Sequence, residues 1–130
     1  MKRVVSFVTV VAAALALATC DSGPTAGEVA FDLTTSNGDD GAVQFTAKAV
    51  APDSVTGATA GCTGCQVFFV RVSATEIRGI VTGDITSGRL VNLGVTDVGK
   101  PEAYTMSVVA AASRTFKIQT GSYSLGSESK

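Results

Sequence analysis

The chain has 130 residues, 45% of them apolar, with ten Lys and Arg against eleven Asp and Glu and a formal charge of −1. That length is one domain and leaves no room for a second core. His and Trp are both absent, which removes triads with a His base, His-ligated zinc and haem attachment through Cys-x-x-Cys-His. The chain opens on Met1-Lys2-Arg3, and residues 4–18 form an apolar run broken only by Ser6 and Thr9. A run of that length is short of the roughly 20 residues that span a bilayer and matches the apolar stretch of a signal peptide. Without Lys2 and Arg3 the rest of the chain carries eight basic and eleven acidic residues, a formal −3. Lys48, Arg71, Arg78, Arg89 and Lys100 are scattered singly, so no basic stripe is predicted and a nucleic-acid partner is not expected.

Leu17-Ala18-Thr19-Cys20 resembles the lipobox of bacterial lipoproteins. That resemblance implies a signal peptide over residues 1–19, lipidation of Cys20 and attachment to a membrane through several acyl chains, which together hold far better than one. Cysteine arithmetic agrees. The chain has Cys20, Cys62 and Cys65, the last two form a natural pair, and an odd Cys in an exported protein is explained by thioether lipidation. The alternative is ordinary secretion, with Ala16-Leu17-Ala18 as the cleavage site and a soluble domain beginning at Thr19. Residues 20–27 read as the lipidated Cys and a flexible Gly/Pro tether, whose last seven residues extend at most about 23 Å. An Asp directly after the Cys, here Asp21, is similar to the signal that retains enterobacterial lipoproteins at the inner membrane. The choice between inner and outer membrane stays open.

From residue 28 to 130 the pattern alternates with period two, and no sustained helical spacing appears. Val29, Phe31 and Leu33 share a face, as do Val43, Phe45, Ala47 and Ala49. Residues 66–72, with Val67, Phe68, Phe69 and Val70 in succession, are apolar on both faces and predict a central strand. Ile77 and Val81, then Val91, Leu93 and Val95, then Tyr104, Met106, Val108 and Ala110 continue the alternation. Ala110, Ala111 and Ala112 also admit a short helical turn. Phe116 and Ile118, then Tyr123 and Leu125, make two last short segments. Turn clusters at residues 36–41, 51–53, 61–65, 83–88 and 97–101 separate these runs. About eight or nine short strands so spaced predict an all-β, single antiparallel β-sandwich, Ig-like or cohesin-like in class.

Four motifs invite a chemical reading. Cys62-Thr63-Gly64-Cys65 reads as a structural disulfide across a turn. Its redox alternative needs a helix amino terminus to lower a thiol pKa, and the motif runs into a strand. Asp39-Asp40 fails the EF-hand spacing and is expected to be a solvated turn. Residues 83–90 lack the Lys and Ser or Thr of a P-loop and read as a connection between strands. Tyr104 falls on an apolar face and is expected in the core. With Tyr123 it is the only ring besides Phe, too little for a carbohydrate platform.

Residues 77–95, with Gly83-Asp84, Gly88 and Leu90-Val91-Asn92-Leu93-Gly94-Val95, resemble cohesin-type β-sandwich modules of bacterial surface proteins. The resemblance implies a non-catalytic nine-strand sandwich that binds a protein. The leading expectation is therefore a lipid-anchored protein of the bacterial cell envelope, facing the periplasm or exterior. Its sandwich binds an envelope or extracellular protein or is structural, with no enzymatic activity, cofactor or metal. A thiol-disulfide redox protein using Cys62 and Cys65, or a soluble secreted binding domain, is the alternative.

Overall fold

A computed structural model describes residues 23–128, so the expected signal peptide over residues 1–19 and the expected lipidation at Cys20 lie outside the described residues. Eight strands follow one another: β1 (Gly27–Thr35), β2 (Asp40–Ala49), β3 (Val55–Ala60), β4 (Gln66–Ser73), β5 (Glu76–Ile85), β6 (Gly88–Val95), β7 (Tyr104–Ser113) and β8 (Tyr123–Ser127). Among the described residues the single helical element is a 3-10 turn at Pro101–Ala103. The strands form two four-stranded antiparallel sheets, β3-β6-β1-β8 in front and β4-β5-β2-β7 behind. This is the β-sandwich that the period-two pattern predicts.

The pairs β1·β8, β2·β7, β3·β6 and β4·β5 describe one long hairpin doubled back at the β4–β5 turn. Winding that ribbon on itself brings β1 against β6 and β2 against β5, in the manner of a jelly roll. Consecutive strands β1 and β2, β3 and β4, and β5 and β6 thus lie in opposite sheets. The core fills the space between, with Phe31 and Leu33 of β1, Leu93 of β6, Phe45 and Val43 of β2 and Ile77 of β5 essentially inaccessible. Gly79 of β5 lies under the Phe45 ring, where a Cβ would sit 2.6 Å from its Cζ. That position tolerates no side chain while the ring stays in place.

Local departures from simple alternation have backbone causes. A register shift between Phe31 and Asp32 opposes Val91 to Phe31 but Arg89 to Asp32. The extra residue, Leu90, joins Val91 in the core, as a β-bulge allows. In β7, Gln44 opposes Ala110 while Phe45 opposes Val108, so Val109 is the extra residue and the inward phase passes to Ala111. Alternation of Ala110 with Val108 on one face, expected from sequence, therefore ends at this bulge. The alanine run is strand throughout, and no helical turn forms there. β5 runs past Gly83-Asp84 to the buried Ile85, and the reversal falls at Thr86-Ser87.

Two strands differ more seriously from expectation. β3 occupies residues not read as a strand, because Val-Thr-Gly-Ala-Thr-Ala holds one bulky apolar residue and no aromatic. β4 is an edge strand and not a central one, and Phe68, Phe69, Val70 and Val72 are all exposed. An apolar run cannot by itself distinguish a strand buried on both faces from an edge strand whose inner face is only partly covered.

At the amino end the tether is partly docked. The Val98 N–H donates to the Thr25 carbonyl at 2.8 Å, and the Thr25 N–H donates to Asp97 Oδ1 at 3.4 Å.

Candidate functional site

The cysteine pair lies in the turn that carries the chain from β3 in front to β4 behind. The two Sγ atoms are 1.98 Å apart and the Cα atoms 5.4 Å apart. The Cys65 N–H donates to the Cys62 carbonyl at 3.3 Å, with Gly64 left-handed at φ 73°, the conformation glycine adopts freely. Cys65 rests on Gly83, where an added Cβ would meet its Cα and Sγ at 3.1 Å. Strand and turn surround the pair, not the helix amino terminus that a reactive thiol uses.

Asp39 and Asp40 part company. Asp39 is exposed and accepts a hydrogen bond from Gln119 Nε2 at 2.7 Å. Asp40, expected to be solvated, is fully buried at the start of β2. Its carboxylate accepts from Tyr123 Oη at 2.7 Å and from Thr35 Oγ1 at 3.1 Å, while Asn37 Nδ2 donates to Tyr123 Oη at 2.7 Å. Burial, and then the bond to Asp40, hold the Tyr123 phenol above its ordinary pKa. No buried side-chain polar atom of this cluster lacks a partner, and its bonds make it a clamp joining β8 to the β1–β2 turn. Among the described residues no group of three His, Cys, Asp or Glu is placed to hold a metal.

Tyr104 lies in the core as expected. Its hydroxyl donates to the Asp97 carbonyl at 3.0 Å and accepts from the Asp97 N–H at 3.1 Å. Residues 83–90 are strand, turn and strand, with no phosphate cradle. Arg89 bridges Asp32 and Glu128 across the front sheet, and its bond to Asp32 is the main cause that raises its pKa.

The feature without a structural explanation is the outer face of the back sheet. Phe68 of β4 opposes Ile80 of β5, Ile80 opposes Gln44 of β2, and Gln44 opposes Ala110 of β7. This row points to solvent, with Phe68 57% exposed. Ile118, 77% exposed, extends it from the segment paired beyond β7. Ala42, Ile80, Ala112 and Ile118 line a depression of about 180 Å³, and the bulged Val109 stands beside it, 58% exposed. Arg78, Lys48 and Arg114 rim this face together with Glu76 and Asp84, and Glu76 and Asp84 pair with Arg78 and Arg114.

Phe116 closes the row and is its most unusual member. Its N–H donates to the Ser113 carbonyl at 3.0 Å, and the Ser113 N–H donates to the Lys117 carbonyl at 2.8 Å. The result is a three-residue hairpin loop whose last position is left-handed. Glycine or asparagine ordinarily stands there. Here a phenylalanine does, at φ 63° and 94% exposed. Neither local backbone preference nor burial accounts for that choice. The alternation of Phe116 and Ile118 signalled an apolar segment, but the sequence did not tell that the segment faces outward.

No family model, no curated protein and no solved structure matches the chain.

Proposed function

We propose that this chain is a lipid-anchored protein of the bacterial cell envelope whose sandwich binds a protein partner through the outer face of the back sheet. Phe116 carries the reading: a bulky apolar side chain, almost wholly exposed and held in a costly backbone conformation, at one end of an apolar row reaching from Phe68 to Ile118. A scattered exposed apolar residue needs no explanation, but a contiguous patch with a polar rim marks an interaction surface. The anchor is supported by the lipobox resemblance, the odd Cys20 and the short connection to the domain. The activity is binding, and the cohesin-type likeness of residues 77–95 agrees with that role. The redox alternative is less well supported, because the Cys62–Cys65 turn runs into a strand and supplies no helix amino terminus to stabilise a thiolate.

Two measurements test the two halves. Mass spectrometry of the mature protein is expected to find Cys20 as the first residue, bearing diacylglycerol and an amide-linked acyl chain. An unmodified terminus at Thr19 would refute the anchor. Capture from envelope extract is expected to recover a partner with the wild-type chain and to lose it with Ile80→Lys and Phe116→Asn. Equal recovery by all three removes this face as the site.

A further inference from the structure

We infer that β4 pairs antiparallel with β4 of a second copy, joining the two back sheets into one sheet of eight strands. The observation is what happens to the four sheet edges, which is separate from the partner-binding face except that Phe68 belongs to both. At the β7 edge, Ile118 bridges to Ala112, the Gln119 N–H donates to the Ala111 carbonyl and the Ser113 N–H donates to the Lys117 carbonyl, so the last three residues of that edge are covered, while residues 104–110 present Val109 as their one large exposed apolar side chain. β8 is five residues long, and β3 is six residues with no aromatic side chain. Short strands, covered edges and charge are how proteins protect an open ladder. β4 has none of these protections along most of its length. It is eight residues, without Pro or Gly, and Arg71 is its single charge. Among the described residues the backbone groups of residues 67–72 bond nowhere outside the ladder with β5.

The strand is complementary to itself. A two-fold axis through Phe69 and normal to the sheet sets Phe68 opposite Val70 of the second copy, Val67 opposite Arg71, and Gln66 opposite Val72. Outer faces stay on one side, because opposed residues of an antiparallel pair share a face. Aromatic and β-branched residues directly opposed stabilise a sheet, and no like charges meet. Taking about 200 Å² for a whole Phe side chain, the exposed parts of Phe68, Phe69, Val70 and Val72 offer roughly 400 Å² per copy. Two copies offer at most roughly 800 Å², and the β4 backbone with Gln66 and Arg71 brings the upper limit to about the 1,000 Å² at which specific interfaces begin. The pairing is isologous and uses the apolar β4 edge of each copy, so assembly through that edge closes at two. It also places the two partner-binding faces on one side, where a bivalent partner gains avidity.

Cysteine cross-linking of the full-length chain in the cells that express it tests the register. Phe69→Cys puts the two thiols opposite each other at about 5 Å between Cβ atoms, within reach of a disulfide. Val72→Cys separates its own two thiols by about 20 Å. Under oxidation Phe69→Cys is expected to give a reducible band of twice the monomer mass, and Val72→Cys none. Only the increment over wild type is counted. A wild-type band reports a free Cys20 thiol and so bears on the anchor, and the comparison reads the same in membrane or soluble fractions. Phe69→Lys, opposing two charges on the axis, is expected to weaken association about tenfold in sedimentation of the purified chain. No increment at position 69, equal increments at 69 and 72, or a cross-linked mass other than twice the monomer overturns the proposal. The last of these would assign the edge to an extended segment of another protein.

Discussion

Phe116 and Tyr123 show how single residues at one end of this sandwich divide between function and stability. Phe116 holds a left-handed conformation that costs a bulky residue about 1 kcal/mol or more relative to asparagine or glycine, and its side chain recovers little of that by contact, being 94% exposed. Phe116→Asn is therefore expected to raise unfolding stability by about 1 kcal/mol while abolishing capture of the partner. A fall in stability measured by denaturant titration would show that the ring supports the fold instead. Tyr123 has the opposite character. Its hydroxyl serves the buried Asp40 carboxylate, and Tyr123→Phe leaves that acceptor short of a donor at a cost of about 2 kcal/mol. The pH dependence follows from the raised phenol pKa. In the unfolded chain Tyr123 ionises near the ordinary value of about 10, and in the folded chain it ionises higher. Its contribution is thus complete below pH 10 and is lost as pH rises through the folded value. Wild-type stability is expected to fall more steeply above pH 10 than that of Tyr123→Phe, so the gap between the two curves narrows with alkalinity. A constant gap would remove the link.

The strands explain how much of this arrangement is legible in the sequence. β1, β2 and the first half of β7 alternate because one face of each is core and the other solvent, so Val29-Phe31-Leu33 and Val43-Phe45-Ala47 identify both the strands and their inward residues. β6 and the end of β7 break that rule at bulges, where one added residue moves the phase, and nothing in Leu90-Val91 or Val109-Ala110 announces it. β3 is silent because an edge strand packed against Phe69 needs only small residues: Gly57 lies 3.5 Å from that ring as measured from an added Cβ. β4 was legible as a strand but not as an exposed one. A run such as Val67-Phe68-Phe69-Val70 has the same composition in a core or on an open edge. The candidate site is hidden for the same reason, since nothing in Phe68, Ile118 or Phe116 as apolar residues tells that they face outward. Between β3 and β4 the disulfide fixes the passage from one sheet to the other. Closing so short a loop contributes about 2 kcal/mol. Reduction, or the Cys62→Ser and Cys65→Ser pair, is expected to lower Tm by roughly 8 °C without changing the far-UV spectrum. An unchanged Tm would mean that packing of residue 65 on Gly83 alone holds the turn.

At the scale of the whole molecule the sandwich has two distinct ends, set by the direction of β1. Gly27 pairs with Val95 at the end where Thr25 is tied to Asp97 and Val98. Thr35 pairs with Tyr123 at the other end, where the Asp40 clamp and the Phe116 loop sit, the Arg114 N–H donating to the Asp39 carbonyl at 2.9 Å. Nine residues of strand separate the ends by about 30 Å. With Thr25 docked, the connection from Cys20 shortens to residues 20–24, at most about 16 Å, instead of the longer tether expected from composition. On the proposed anchor at Cys20, a domain held so closely by its Gly27 end is expected to face the membrane with the 97–101 loop and to present Phe116 outward. Depth measurements decide it. Fluorophores placed by Lys100→Cys and Thr115→Cys in the membrane-bound chain are expected to differ in quenching by a headgroup quencher, strong at 100 and near background at 115, because the separation exceeds the range of contact quenching. Equal quenching at both positions would mean that the sandwich lies on its side, with the apolar back sheet turned to lipid and withheld from a protein partner.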